Sequence, residues 1–167
     1  NFPPNRLEIE ITESCVHEDI VQERSLIASL KNQGIRVSLD DFGTGYSSLS
    51  QLRMLPFDRI KIDRSFITGL TDNEDSAAFI HSIAVLGKGL GLPITAEGIE
   101  TDAIREQLRG FGQIKGQGYL YGQPTSAEET RSLLSAQGLL QPRPGPPERT
   151  SQSDANGNNE PRRIAGN

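Results

Sequence analysis

The sequence contains few of the residues that build disulfide frameworks, aromatic cages or membrane spans. It has one cysteine, no tryptophan and 5% aromatic residues among its 167 positions. The single Cys15 excludes an internal disulfide framework and a cysteine-rich zinc site, and it fits a reducing compartment such as the cytoplasm. No apolar run approaches the ~20 residues of a membrane span, and no signal-peptide pattern opens the chain. We therefore expect a cytoplasmic segment without membrane contact, so any tether to the inner membrane would have to come from upstream segments.

Basic residues are outnumbered by acidic ones. The 17 Lys and Arg residues face 22 Asp and Glu residues, which gives a formal net charge of -5 at pH 7. Binding to a nucleic-acid polymer rests on clustered Lys and Arg, so this balance argues against such a partner. It leaves open a small anionic ligand that is held through metal ions.

The last stretch of the chain differs in composition from the rest. Residues 141–167 are rich in Pro, Gly, Ser and Asn and nearly free of large apolar side chains. Such a segment buries too little apolar surface to offset the entropy lost on ordering. We predict a disordered tail over residues 141–167 and a globular part over residues 1–140.

Short apolar runs alternate with helical patterns in the globular part. Strands separated by helices are typical of a parallel sheet with helical crossovers, and a doubly wound sheet and a piece of a (β/α)8 barrel both fit. The predicted strands cover residues 7–12, 35–41, 59–63, 93–98 and 116–122. The predicted helices cover residues 18–31, 47–55 and 74–88, with one more capped by Thr101 and a last one that begins at a Ser126/Glu129 capping box.

Four of the predicted strands have one apolar face and one polar face. Neighbouring strand residues point to opposite faces, and Glu10, Asp40, Lys61 and Glu97 all fall on the polar face near the strand ends. A doubly wound sheet is covered on both faces, so its strands read almost continuously apolar. A barrel instead gathers its active-site groups inside, at the C-terminal ends of its strands. The pattern favours a barrel with one converging site.

Carboxylates crowded into one concave site stay ionised only when cations neutralise them. Lys61 supplies one positive charge, and divalent metal ions are the natural source of the rest. Oxygen ligands without a histidine or cysteine cluster favour Mg²⁺ or Mn²⁺ over Zn²⁺. A pair of metals bridged by an Asp is a common device for in-line attack on phosphorus. The residues alone therefore predict an oxygen-ligated metal site and phosphate chemistry.

Five blocks of sequence resemble the EAL domain, in that family's order and at about its spacing. The blocks read EITES from Glu10, DDFGTGYSSL from Asp40, KID from Lys61, AEGIE from Ala96 and QGYL from Gln117, with Pro124 following. The resemblance covers essentially all of the globular part. It implies a barrel of the (β/α)8 kind that hydrolyses cyclic di-GMP to linear pGpG in bacterial second-messenger signalling, with two Mg²⁺ or Mn²⁺ ions.

The resemblance also implies a role for individual residues. It makes metal ligands of Glu10, Asp40, Asp41 and Glu97, and it places Lys61, Glu97 and Gln117 at the attacking water. Asp63 and Glu100 are candidate substrate contacts, but each could instead support neighbouring site residues or simply form a salt bridge. Glu13 resembles a glutamate that braces the loop at residues 41–50, which in the family links metal occupancy to a homodimer formed through the barrel.

The chain departs from the family pattern in two places. It begins after the EAL signature strand, so the signature Glu, the Arg close behind it and a later metal-binding Asn have no counterpart. Open sheet edges are a liability, so we expect the natural protein to be longer and this chain alone to be inactive or poorly stable. Ile114 stands where the family usually has an Asp. A non-catalytic receptor for cyclic di-GMP and a different barrel hydrolase remain alternatives, because barrels host many chemistries.

Overall fold

The computed structural model describes residues 2–16, 19–45 and 48–140. The chain divides into two compact units, Asn1–Pro124 and Thr125–Asn167. The predicted disordered tail lies outside the described residues, as does the predicted start of the first long helix at residue 18. The domain division at residue 140 stays a prediction.

Short strands and the helices between them build the first unit. The strands are β1 (Glu8–Thr12), β2 (Arg36–Phe42), β3 (Arg59–Ile62), β4 (Ile94–Ala96) and β5 (Ile114–Gly116). The helices are α1 (Ile20–Asn32), α2 (Leu49–Met54), α3 (Arg64–Thr68), α4 (Glu74–Leu90) and α5 (Asp102–Arg109). Single 3-10 turns at Pro4–Arg6 and Glu13–Cys15 flank β1.

The five strands form one parallel sheet whose spatial order is the order of the sequence, β1-β2-β3-β4-β5. Successive right-handed crossovers in that order put every connecting helix on the same face of the sheet. A doubly wound sheet would reverse its order at a switch point and carry helices on both faces. The predicted fold class, parallel strands forming part of a (β/α)8 barrel, is confirmed.

The apolar face of each strand packs under the helices. Val37 and Leu39 of β2 and Ile60 and Ile62 of β3 are at most 1% exposed. They share one buried cluster with Ile80 of α4. Because this face is satisfied by apolar contacts, the opposite face of the same strands is left to carry the polar side chains.

The predicted helix caps are present. The Thr101 hydroxyl accepts a hydrogen bond from the N–H of Ile104, and Ser126 and Glu129 bond to each other's backbone N–H groups. Gly91 ends α4 in the left-handed conformation with φ 70°, which glycine adopts readily at helix C-termini. The Ser126 box starts α6 (Ala127–Ala136) in the second unit. None of the helices in the described ranges is both long and apolar enough to span a bilayer.

The position predicted for the fifth strand is wrong. β5 is Ile114–Gly116, and the chain then turns. The N–H of Gln117 donates to the carbonyl of Ala96 at 2.9 Å, and the N–H of Leu120 donates to that of Ile99 at 3.0 Å. The alternation of glycine and large side chains after residue 116 resembles a strand, but the backbone there is hydrogen-bonded to the last residue of β4 and to the turn that follows it.

Gly118 is placed where only a glycine fits. A Cβ atom there would lie 2.2 Å from the carbonyl oxygen of Ile99. We expect Gly118→Ala to lower the free energy of unfolding by about 1–3 kcal/mol or more, since backbone must move. At Gly89, in α4, an added methyl group would meet no heavy atom of the described residues within 4 Å. Gly89→Ala is therefore expected to be neutral or to stabilise by roughly 0.5–1 kcal/mol.

Urea unfolding of the natural protein that contains these residues measures both variants. If Gly118→Ala and Gly89→Ala had the same free energy of unfolding, the close contact between Gly118 and the backbone of Ile99 would be contradicted.

Candidate metal and active site

Lys61 is the centre of the polar face. Its side chain projects from β3 and the residue is 4% exposed. Its Nζ atom lies 2.7 Å from Glu10 Oε1, 3.1 Å from Asp40 Oδ1 and 2.7 Å from Glu97 Oε1. These three carboxylates come from β1, β2 and the residue after β4. The structure therefore brings together the four side chains that strand parity predicted to converge.

The ion pairs shift the pKa values of Lys61 and Glu97. Burial alone would lower the pKa of Lys61, but hydrogen bonds to Glu10, Glu97 and Asp40 outweigh it and raise that pKa. Burial raises the pKa of Glu97, and Lys61 acts against this rise. The raised pKa favours the charged form of Lys61, whose single positive charge offsets only one of the negative charges around it.

Asp41 joins the same site although it follows Asp40 directly. The register between β2 and β3 shifts between Leu39 and Phe42, and Asp41 has φ 54°. Asp tolerates this left-handed conformation better than most residues, and such an irregularity re-aims a side chain that strict alternation would send to the other face. One carboxylate oxygen from each of Asp40, Asp41 and Glu97 consequently lies within 4.8 Å of the others.

These three carboxylates have the character of a cation site. Burial raises the pKa of Asp41, and the charges of Asp40 and Asp63 raise it further. Asp40 Oδ1 is buried and pairs with the Lys61 ammonium group at 3.1 Å. Ligands that are all carboxylate oxygens suit a hard cation such as Mg²⁺ or Mn²⁺. The predicted ligand Glu10 lies beside Lys61 and is not one of this group of three.

Glu13 holds the segment that follows the Asp pair. The residue is 4% exposed, and its Oε2 atom accepts hydrogen bonds from the N–H groups of Gly43 and Gly45, both at 2.9 Å. On the other side, a Cβ atom at Gly43 would lie 2.6 Å from the Phe79 ring, which stacks on Phe66 with ring centres 4.2 Å apart. Glu13 therefore contacts the backbone of the loop that it was predicted to brace, and its bracing role stays a prediction. Residues 46 and 47 of this loop lie outside the described residues.

Backbone hydrogen bonds hold Gln117 at the edge of the site. Its N–H donates to Ala96 and its carbonyl accepts from Ile99 at 3.0 Å, which sets it next to Glu97. Its side chain is exposed. A role for this side chain at the attacking water stays a prediction.

The two candidate substrate contacts have protein partners. Asp63 Oδ1 accepts hydrogen bonds from the N–H and the hydroxyl of Ser65 at the start of α3, and the hydroxyl bond lowers the pKa of Asp63. Glu100 Oε1 lies 2.9 Å from Arg64 Nη2. Sequence reasoning did not find α3 or Arg64; a signal was present in the Asp63-Arg64-Ser65 capping pattern directly after a strand.

Removing the central cation tests this arrangement. We expect Lys61→Met to lower the free energy of unfolding by about 3–5 kcal/mol without added metal, because the partly buried carboxylates lose the counter-charge that pairs with them. Mn²⁺ should restore more stability to this variant than it adds to the wild-type protein. Denaturant unfolding with and without Mn²⁺ measures the effect.

Lys88→Met is the matched control, since Lys88 is an exposed lysine in the last turn of α4. Comparable losses in the two variants, or no recovery with Mn²⁺, would count against a charge cluster at Lys61.

Comparison with known proteins identifies relatives of the chain. A sequence model of the family described as EAL domain matches residues 1–124. The bifunctional diguanylate cyclase/cyclic di-GMP phosphodiesterase MucR of Pseudomonas aeruginosa is 44% identical over 129 residues, which are 77% of this chain and 19% of MucR. An uncharacterized Synechocystis protein, sll1895, is 43% identical over 135 residues, 81% of this chain and 19% of that protein.

Solved structures are similar in fold and sequence. The PaMucR phosphodiesterase in complex with c-di-GMP matches with a TM-score of 0.73 and 43% identity, over 77% of this chain and 52% of that one. The EAL domain of Mycobacterium smegmatis DcpA matches with a TM-score of 0.75 and 40% identity, over 80% of this chain and 60% of that one. A manganese and cyclic di-GMP complex of Klebsiella pneumoniae BlrP1 matches with a TM-score of 0.68 and 32% identity, over 74% of this chain and 31% of that one. The chain spans about a fifth of the two curated relatives and about half of the PaMucR chain.

Proposed function

The chain belongs to the EAL domain family, and we propose that the natural protein that contains it is a metal-dependent phosphodiesterase that hydrolyses cyclic di-GMP to linear pGpG. The observation that carries the proposal is the convergence of Glu10, Asp40 and Glu97 on Lys61, with Asp41 beside them. The name of MucR and the ligands of the BlrP1 complex support it.

The metal in this proposal is Mg²⁺ or Mn²⁺, in a two-ion site. Asp40, Asp41 and Glu97 would hold it, with Glu10 alongside. When bound, the metal would supply Lewis acidity toward the phosphodiester and lower the pKa of a water molecule. The clustering of the three carboxylates supports a cation at this position, and the manganese in the BlrP1 complex supports the choice of metal.

The side chains of the chain have distinct tasks in the hydrolysis. Lys61 offsets the repulsion between the three carboxylates with which it pairs, and its proposed role in positioning the attacking water rests on the resemblance of the Lys61 motif to the family. Glu97 has a raised pKa and is suited to accept the proton of that water. The water oxygen forms a bond to phosphorus and the bond from phosphorus to one ribose oxygen breaks. That ribose oxygen takes up a proton to become a hydroxyl group, and the ring opens to the linear dinucleotide. Gln117, fixed beside Glu97, is the proposed hydrogen-bond partner of the water.

The remaining parts of the proposal concern location and assembly. A cytoplasmic site fits the substrate, a cyclic dinucleotide messenger. A homodimer through the barrel is proposed from the Glu13-braced loop, whose sequence resembles the family loop that links metal occupancy to dimerisation.

Hydrolysis of cyclic di-GMP by the natural protein tests the function. With Mg²⁺ or Mn²⁺ we expect pGpG to form, and we expect Asp40→Asn to slow its formation at least about 100-fold, because even groups that only orient metal ligands cost 10–100-fold. Asp102→Asn is the matched control, since Asp102 is 73% exposed at the start of α5. Rates are measured by chromatography of the nucleotide products.

Two outcomes would contradict the assignment. One is an Asp40→Asn protein that retains wild-type rates. The other is a wild-type protein that binds cyclic di-GMP tightly and forms no pGpG with either metal, which is the behaviour of a receptor.

A further inference from the structure

The turn after β4 is covered by one side chain from a different strand end. Gly98 has φ 72°, and a Cβ atom there would lie 2.4 Å from Cγ of Arg64 and 2.9 Å from its Cβ. The aliphatic stem of Arg64 therefore lies directly on the Gly98 backbone. Gly98 is the residue immediately after Glu97.

The head of the same side chain reaches the far end of the turn. Arg64 Nη2 lies 2.9 Å from Glu100 Oε1, and the two side chains are 58% and 40% exposed. An exposed ion pair contributes little by itself. The pair matters here because it fixes the position of the turn: the aliphatic stem of Arg64 contacts Gly98, and its guanidinium group contacts Glu100.

The rest of the turn is fixed by backbone bonds. The N–H of Glu97 donates to the carbonyl of Ile62 at 3.2 Å, and the N–H of Ile99 donates to that of Gln117 at 3.0 Å. Ile99 is 1% exposed. Arg64 is itself held at the first position of α3, whose N-cap is Asp63.

We propose that Arg64 is a positioning residue that, with Glu100, holds the 97–100 turn so that the Glu97 carboxylate stays over Lys61 and the Asp pair. The inference rests on the proposed role of Glu97 at the metal site. It assigns Glu100 to the arginine as its partner, in place of a contact to substrate.

The test uses five variants of the natural protein: Arg64→Ala, Arg64→Lys, Glu100→Gln, the double variant Arg64→Ala/Glu100→Gln, and Arg109→Ala as control. Arg109 forms an exposed pair with Glu106 on α5, so its loss reports what a surface ion pair is worth. Mn²⁺ affinity is measured by calorimetry without substrate, and kcat and KM are measured with cyclic di-GMP.

We expect Arg64→Ala to weaken Mn²⁺ binding and lower kcat by about 10-fold each, the lower end of the 10–100-fold range for groups that orient metal ligands. KM should change less than about twofold, and Arg64→Lys, which keeps stem and charge, should recover most of the loss. The double variant should be no worse than Arg64→Ala, since both changes break one unit.

Three results would overturn the proposal. The first is an Arg64→Ala protein with the same Mn²⁺ affinity as Arg109→Ala. The second is an Arg64→Ala protein whose melting temperature falls while its Mn²⁺ affinity and kcat stay unchanged. Glu100→Gln could raise KM while Arg64→Ala leaves it and kcat unchanged, which is the result for a direct substrate contact. If the wild-type protein proves not to hydrolyse cyclic di-GMP, the proposed function fails, and the Mn²⁺ measurements still decide the role of Arg64. If Arg64→Ala does not fold, Glu100→Gln and Arg64→Lys carry the test.

Discussion

The ammonium group of Lys61 is the interaction on which the arrangement of this site depends. It is nearly buried near the C-terminal ends of the strands, and it contacts carboxylates from β1, from β2 and from the residue after β4. Without it, Glu10, Asp40 and Glu97 would repel one another inside a partly desolvated space. With it, they are held close but not neutralised, since one positive charge faces four acids when Asp41 is counted. The remaining negative charge is the basis for the proposed divalent-cation site.

Strand parity was sufficient to predict this convergence. Apolar residues at alternate positions bury one face of each strand, so the charged residues between them must share the other face, and a barrel brings that face inward. The same rule could not place Asp41, because its side chain reaches the site through a register shift and a left-handed backbone. Such an irregularity leaves no periodic trace in the sequence, and only the resemblance to the EAL domain pointed to this residue.

The errors of prediction have a common physical cause. The QGYLYG segment alternates like a strand, yet its backbone hydrogen bonds go to residues 96 and 99, and Gly118 lets two backbones approach closely. Helix α3 is five residues long, too short for hydrophobic periodicity to reveal. In both cases contacts between distant parts of the chain decide the conformation. They also place Gln117 next to Glu97 and Arg64 against Gly98, so the edge of the site is built by interactions that local sequence patterns do not encode.

A crystal structure of the natural protein with Mn²⁺, with the metal located by its anomalous scattering, tests most directly whether these acids form a cation site. The account predicts manganese within about 2.6 Å of carboxylate oxygens of Asp40, Asp41 and Glu97. Manganese bound elsewhere, with Lys61 still paired to all three of its carboxylates and no metal between them, would contradict it.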